Sequence, residues 1–430
     1  MTREEAAVLT HRYAEASKSA VLEQNQYELS DDSRQKLTPL EIEEMEAALA
    51  PPEYIDGEDI SSWAEEDVAA MTGAGILNGD EDWAFHPQQP LRRSECVKII
   101  SVYVFYDTKL TLIFPGGSST SYIEIEDGED ITLTEEDLAE LGFDLENLDE
   151  ELADLHGPKF YCDVPITTPL IPNGASLSWA TVGHETLTDR AFQLLRQDTG
   201  EGGRAYIVNK MQEKVGFNNF YRTGQFWVHY YSWYADEIAE EIAPIVHIPV
   251  FDVDIPSYEA HFYNPDTGKS WTGSTTRTAY TFFNNHYYLA VTNAHIYDAY
   301  HRYLAYKELG LSIHYLEDLN NPYHASNAIA GKTNHRGYEA WADRYVVPNC
   351  TTSMTYASYR YIYDSTFIGM ANNFAGLAKS TYNDCSQYHS SSPEWRVTAE
   401  LKTQDNLRRT QRAVCGLLNR FYYNGGLNAQ

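Results

Sequence analysis

Long apolar runs are missing from this chain. No stretch approaches the roughly 18 apolar residues that a membrane-crossing helix needs, so no transmembrane segment is expected. Cysteine is scarce: Cys96, Cys162, Cys350, Cys385 and Cys415 are an odd set with no CxxC pair. That spacing excludes a disulfide framework, while pairing of Cys350 with Cys385 stays open. Basic residues are few, with 31 Lys and Arg against 63 Asp and Glu, a net charge of -32. A field of that sign repels polyanions at long range and argues against a bulk binder of DNA or RNA. It excludes nothing about metal cations. The opening "MTREEAAVLTHRYAEAS" lacks the basic start and apolar run of an export signal; taken alone, that predicts a soluble cytoplasmic protein.

What is present divides into three blocks. A length of 430 residues predicts two or three domains. Block 1–105 reads as short helices and turns. "MTREEAAVLTHRYAEA" fits an amphipathic helix with Thr2 as N-cap and Glu5 three residues on. "LTPLEIEEMEAALA" fits another, ended by Pro51 and Pro52. Trp63, Val68, Ala69 and Met71 fit a third, followed by turns at Gly73, Gly75, Gly79 and Pro87. Block 106–160 is a strand-like run that becomes densely acidic, read as a linker with some local structure. Within it "TEEDLAELGF" fits a short helix capped by Thr134 and closed by Gly142. Its acidic spacing is not that of an EF-hand. Block 161–430 is rich in aromatics, His and Asn and carries long helical patterns, which makes the chain mainly α. Gly310 interrupts the central pattern, either separating two helices or marking a close packing point.

The chemistry concentrates in "HYLEDLNNPYH" and its surroundings. His314 and Asp318 stand four apart, as do His335 and Glu339, so each pair shares a helix face. Pro322 ends the first helix and lets His324 return on a turn. Imidazoles and carboxylates in this density are what a zinc-like cation requires.

Two resemblances extend these readings. The segment with Asp59, Trp63-Ala64, Gly75-Ile76, Gly79, Phe85, Pro87, Arg93 and Glu95 resembles an S-layer homology motif. Arg92 stands where that motif has Thr. "MTREEAAVL" looks like the closing half of a preceding copy, which implies a missing upstream piece. The resemblance implies a secreted or cell-wall-associated bacterial protein that binds a cell-wall polymer.

The second resemblance runs from about 175 to 425. "HYLEDLNNPYHASN" is similar to the signature of zinc-dependent phospholipase C, with Glu317 in place of the usual Gly. It implies a multi-helical catalytic domain of the phospholipase C and P1 nuclease type, holding three Zn2+. The metal roles fall on His314, Asp318, His324, His335 and Glu339, and "HFYNPD" adds His261. "WATVGHETL" and "YYSWYADEI" are closer to the sibling S1/P1 nucleases and add Trp179, His184 and Asp236. Asp236 takes the role of catalytic base, with Asp252 and Asp254 as runners-up. Family members bind zinc through the free amine and carbonyl of a terminal Trp; here 178 residues precede Trp179. That implies either a cut between Ser178 and Trp179 or a weaker third site. Tyr258 and Glu237 fall at positions that contact a choline headgroup, though Glu237 replaces a Tyr. The implied activity is cleavage of phosphatidylcholine-like lipid to diacylglycerol and a phosphorylated headgroup. The alternatives are a single-strand nuclease, or a cell-wall binder with a decayed site.

Overall fold

The structure is a computed structural model. It describes residues 1–17, 54–73, 77, 84–91, 112–113, 119–125, 131–132, 134, 179–199, 203–217, 220–237, 245–248, 253–296, 299–329, 332–353 and 366–427. The first helix, α1 (Arg3–Ser17), starts as its sequence predicts. The Thr2 hydroxyl accepts the Glu5 N–H at 3.2 Å, and the Glu5 carboxylate accepts the Thr2 N–H at 2.8 Å. This reciprocal pair satisfies two donors that a helix start otherwise leaves open. α2 (Glu65–Gly73) follows. Trp63 lies before it and is 52% exposed, so the expectation that Trp63 belongs to the helix face is corrected.

α1 is stitched into the 54–91 segment. Arg3 donates to the Phe85 carbonyl at 2.7 Å. Glu4 accepts from the Ser61 N–H and hydroxyl, both at 3.0 Å, and from Gln88 at 2.7 Å. Asp56 accepts the N–H groups of Phe85 and His86 at 2.7 Å each, holding His86 in a left-handed conformation at φ 56°. Ala7, Val8, Ala64, Val68, Met71, Leu77 and Phe85 form a small core here, joined by Ile296 from the helical block. The helix expected before Pro51, the glycines at 75 and 79, and Arg92 to Glu95 lie outside the described residues.

The acidic block, read as a linker with some local structure, carries short strands at its described residues. β1 (Leu112–Ile113) pairs antiparallel with β2 (Ser119–Thr120), and β3 (Ile131–Thr132) pairs parallel with β6 (Ile245–Ile248). β6 in turn pairs antiparallel with β7 (Val253–Pro256). The helix expected after Thr134 lies outside the described residues.

The helical block contains α3 (Trp179–Gln197), α4 (Ala205–Lys210), the hairpin β4 (Lys214–Phe217) and β5 (Phe220–Thr223), and α5 (Gly224–Tyr234). Further on come α6 (Ala279–Ala294), α7 (Ala299–Asp318), α8 (His335–Trp341), α9 (Phe367–Ser380), α10 (Tyr382–Cys385) and α11 (Pro393–Asn424). α7 is the axis of the block and is buried from His301 to Asp318. A helix buried on all sides needs partners for its polar residues. Glu308 finds one in His286 of α6 at 2.8 Å. Gly310 does not divide the helix. A Cβ there would sit 2.7 Å from the Tyr231 Cβ and 2.7 Å from the Val228 carbonyl. It is therefore the close packing point that lets α7 lie against α5. Cys350, Cys385 and Cys415 are buried free thiols, so the open pairing of Cys350 with Cys385 is not made.

Candidate metal centre

Six local structures bring the chemistry to one place. Thr223 caps α5 by accepting the Phe226 N–H at 3.1 Å, and the helix runs to Tyr234. Its end continues as a 3-10 turn that carries Asp236. A second 3-10 turn, Glu259–His261, carries His261. Glu259 anchors that turn from within, pairing with Arg277 at 2.8 Å and accepting the Thr272 hydroxyl. The preceding residue, Tyr258, sits in a left-handed conformation at φ 49° and is 36% exposed. α7 presents His314 and Asp318 at its last turn and stops before Pro322, as the sequence predicts. His324 opens the 3-10 turn that follows. α8 presents His335 and Glu339, and α3 presents His184.

These side chains form three groups whose candidate ligand atoms all lie within 4.8 Å of one another: His184 with His314 and Asp318, Asp236 with His261 and His314, and His324 with His335 and Glu339. Asp318 reaches across the groups. Its Oδ2 lies 3.0 Å from His261 Nδ1 and 3.2 Å from His314 Nε2, while its Oδ1 lies 2.7 Å from His324 Nδ1. Asp236 Oδ1 lies 3.4 Å from His261 Nδ1 and 3.6 Å from His314 Nε2. Glu339 Oε1 lies 2.8 Å from His335 Nε2 and 3.4 Å from His324 Nε2. Asn321 donates to the same oxygen at 2.9 Å. His314 Nδ1 donates to the Ser232 carbonyl at 2.9 Å, which turns its Nε2 toward the carboxylates.

The donor set fits a cation. Asp318 Oδ1 and His324 Nδ1 are 2.7 Å apart, yet neither makes a hydrogen bond. His261 Nε2 is likewise buried without a hydrogen-bond partner. Buried polar atoms left in this state are rare and call for an ion or a proton. Among the described residues, the ion-pair partners of Asp318 and Glu339 are all histidines.

Protonation follows the same logic. Burial opposes charge on His314, but Asp236 and Asp318 outweigh it and raise its pKa to about 9. Burial also opposes charge on His324, and Asp318 and Glu339 raise it to about 10. Asp318 is held well below the usual carboxylate range: burial works against this, and His324 and His314 overcome it. Glu339 is lowered in the same way by His335 and His324 against its burial. His184 is pushed well below its ordinary value by burial and by His314. Without a cation, protons on His314 and His324 supply the positive charge.

All the anticipated ligand side chains that are described therefore meet in one cluster. Trp179 is the first residue of α3, and description of that helix's side chains begins at Gly183. Glu237 completes the 3-10 turn after Asp236, and its side chain lies outside the described residues. Asp252 lies outside them as well, and Asp254 is described by its backbone in β7 alone. Tyr258 faces His261 with ring centres 5.6 Å apart. Glu317, noted in the sequence as a departure from a Gly, is fully buried at the cluster edge, its Oε2 2.5 Å from His184 Nδ1.

Comparison with known proteins gives three findings. Residues 54–95 match the S-layer homology domain. The chain is distantly similar to a phospholipase C of Paraclostridium bifermentans, 27% identical over 192 residues. That alignment covers 38% of this chain and 44% of the relative, so the chain spans less than half of the relative's length. Among solved structures, the alpha-toxin of Clostridium absonum aligns at 19% identity and a TM-score of 0.44, over 59% of this chain and 65% of that one. The alpha-toxin of Clostridium perfringens aligns at 20% identity and a TM-score of 0.41, over 56% and 64%.

Proposed function

We propose that the helical block is a zinc-dependent phosphodiesterase of the phospholipase C type. It would cleave phosphatidylcholine-like lipid to diacylglycerol and a phosphorylated headgroup. The observation that carries this reading is the convergence of His184, Asp236, His261, His314, Asp318, His324, His335 and Glu339 into three interlocked groups. A decayed site would be expected to have lost members of such a set. The 27% identity to a phospholipase C supports the lipid substrate over nucleic acid. So does a net charge of -32, which disfavours a polyanion.

Zinc held by these groups would lower the pKa of a water toward neutrality and offset charge on the phosphate. Asp236 is the carboxylate of the cluster nearest solvent, its side chain 16% exposed. It is placed to orient the attacking water and take its proton. The water oxygen would bond to phosphorus as its proton passes to Asp236, the bond from phosphorus to the glycerol oxygen would break, and a solvent proton would reach that oxygen as diacylglycerol leaves, the Asp236 proton returning to solvent. Asp318 fixes the spacing of the groups on either side of it. Tyr258, exposed beside His261, offers a ring face to a quaternary ammonium headgroup. Glu237 is the second headgroup candidate. Trp179 remains a proposed ligand through its carbonyl. The 54–95 motif would attach the enzyme to a cell-wall polymer.

The deciding assay is hydrolysis of short-chain phosphatidylcholine beside single-stranded RNA and DNA, with chelator and then with zinc restored. Zinc-dependent phosphocholine release is expected. Nucleotide release alone would move the assignment to the nuclease, and neither activity in zinc-loaded protein would refute both.

A further inference from the structure

We propose that Glu317 is the positioning residue of the metal position formed by His184, His314 and Asp318, an inference that rests on the metal reading above. Glu317 and Asp318 are neighbours on α7 and take opposite nitrogens of one imidazole. Glu317 Oε2 lies 2.5 Å from His184 Nδ1, and Asp318 Oδ1 lies 3.8 Å from His184 Nε2. A carboxylate at Nδ1 keeps the ring proton on that nitrogen and turns the Nε2 lone pair toward Asp318.

The other oxygen of Glu317 is also held. Thr188, one turn after His184 on α3, donates its hydroxyl to Glu317 Oε1 at 3.1 Å. A single face of α3 thus grips the carboxylate twice. His314 is set by the same device with a weaker anchor, the Ser232 carbonyl at 2.9 Å. Glu317 has 0% exposure, and no Lys or Arg among the described residues pairs with it. Burial raises the pKa of this carboxyl well above its usual range in the metal-free chain, and its contacts to His184 and Thr188 hold it in one orientation against α3. A divalent cation on the far side of His184 would favour the ionised carboxylate and the ring proton on Nδ1. It compensates the charge through the ring, and the carboxylate makes His184 a stronger donor.

The test uses the full chain loaded with zinc and then dialysed against graded chelator, with zinc per chain read by mass spectrometry. Wild type is compared with Glu317→Gln, Glu317→Ala and Thr188→Val. Both Glu317 variants are expected to release one equivalent of zinc at chelator levels about 10- to 100-fold lower than wild type, with the others unmoved. Thr188→Val should shift the same equivalent by less. Cobalt substitution should change the absorption bands of one position alone. The metal-free Glu317→Gln chain should melt at about the wild-type temperature, so its loss of one zinc equivalent reports on the metal position and not on folding. Unchanged zinc retention overturns the proposal, as does loss of every equivalent with a lowered metal-free melting temperature. Wild-type protein that holds no zinc would sink the metal reading itself, and this inference with it.

Discussion

Asp318 has 0% exposure and faces His261, His314 and His324 within 3.2 Å. Removing its charge while keeping its shape, as Asp318→Asn does, leaves those imidazoles without a shared anion. Zinc content should fall by at least one equivalent, and hydrolysis by on the order of 10³-fold. Asp236→Asn acts differently, because Asp236 lies at the open side of the cluster. Most zinc should remain while the rate constant for hydrolysis drops about 10²- to 10⁴-fold; paired rate and metal determinations separate the two variants. The histidines predict a pH effect. In the metal-free chain His314 and His324 have pKa values of about 9 and 10. Both values are raised above the unfolded value near 6.5. Their protonation therefore stabilises the metal-free fold fully below about pH 6.5, and that contribution is lost as pH rises through 9 and 10. Zinc entering at pH 7 must displace these protons, so binding should release about two per chain and tighten as pH rises. Calorimetry in buffers of different ionisation enthalpy measures the release, and zinc binding without it would contradict the assignment. Most of this cluster was legible in the sequence, because four-residue spacing and a proline are local signals. Glu317 was not. Its partner His184 lies 133 residues away, and only the packing of α3 on α7 shows what the carboxylate does.

At the scale of elements, α7 decides where the cluster sits, and Gly310 decides how deeply α7 lies against α5. Gly310→Ala would gain roughly 1 kcal/mol of helix propensity. Against that, the new methyl would meet Tyr231 and the Val228 carbonyl at 2.7 Å. Overpacking of this kind costs about 1–3 kcal/mol. The net change is a loss of stability, and His314 and Asp318, one and two turns further on, would shift with the helix. Denaturant titration should report a lower midpoint, and zinc affinity should fall as well; an alanine variant at least as stable as wild type would remove Gly310 from this role. The sequence left two readings of this glycine because a helix-breaking signal and a close-approach signal look alike along one chain. Only the neighbour across the interface distinguishes them. The Thr2–Glu5 cap was readable for the opposite reason: donor and acceptor lie within one turn. Trp63 misled the sequence reading because its spacing suits a helix face, while the helix begins two residues later.

At the scale of the molecule, the three sequence blocks interlock. The acidic block reads as a spacer by composition, since densely charged sequence buries little apolar surface. Neutral residues within it nonetheless find fixed partners. Ser121 and Ile123 exchange three hydrogen bonds with the side-chain amides of Asn284 and Asn285 on α6, at 2.6, 2.8 and 2.7 Å. Tyr122 adds an edge contact to Tyr288 at 6.1 Å. These bonds span more than 160 residues of chain, so no local pattern could announce them. A net hydrogen bond is worth about 0.5–1.5 kcal/mol, which puts the strap at roughly 2–4 kcal/mol. A chain begun at residue 106 keeps the strap and gives up the 54–95 motif. It should bind zinc and hydrolyse substrate as the full chain does, while losing affinity for cell-wall polymer. A chain begun at residue 161 loses both. Its melting temperature should fall several degrees below that of the 106 start, at about 2–4 °C per kcal/mol for a domain of this size. Equal melting temperatures for the two shortened chains would return the acidic block to the role of a plain spacer. A loss of hydrolysis already at the 106 start would instead tie the amino-terminal unit to the helical block, through the small core it shares with Ile296.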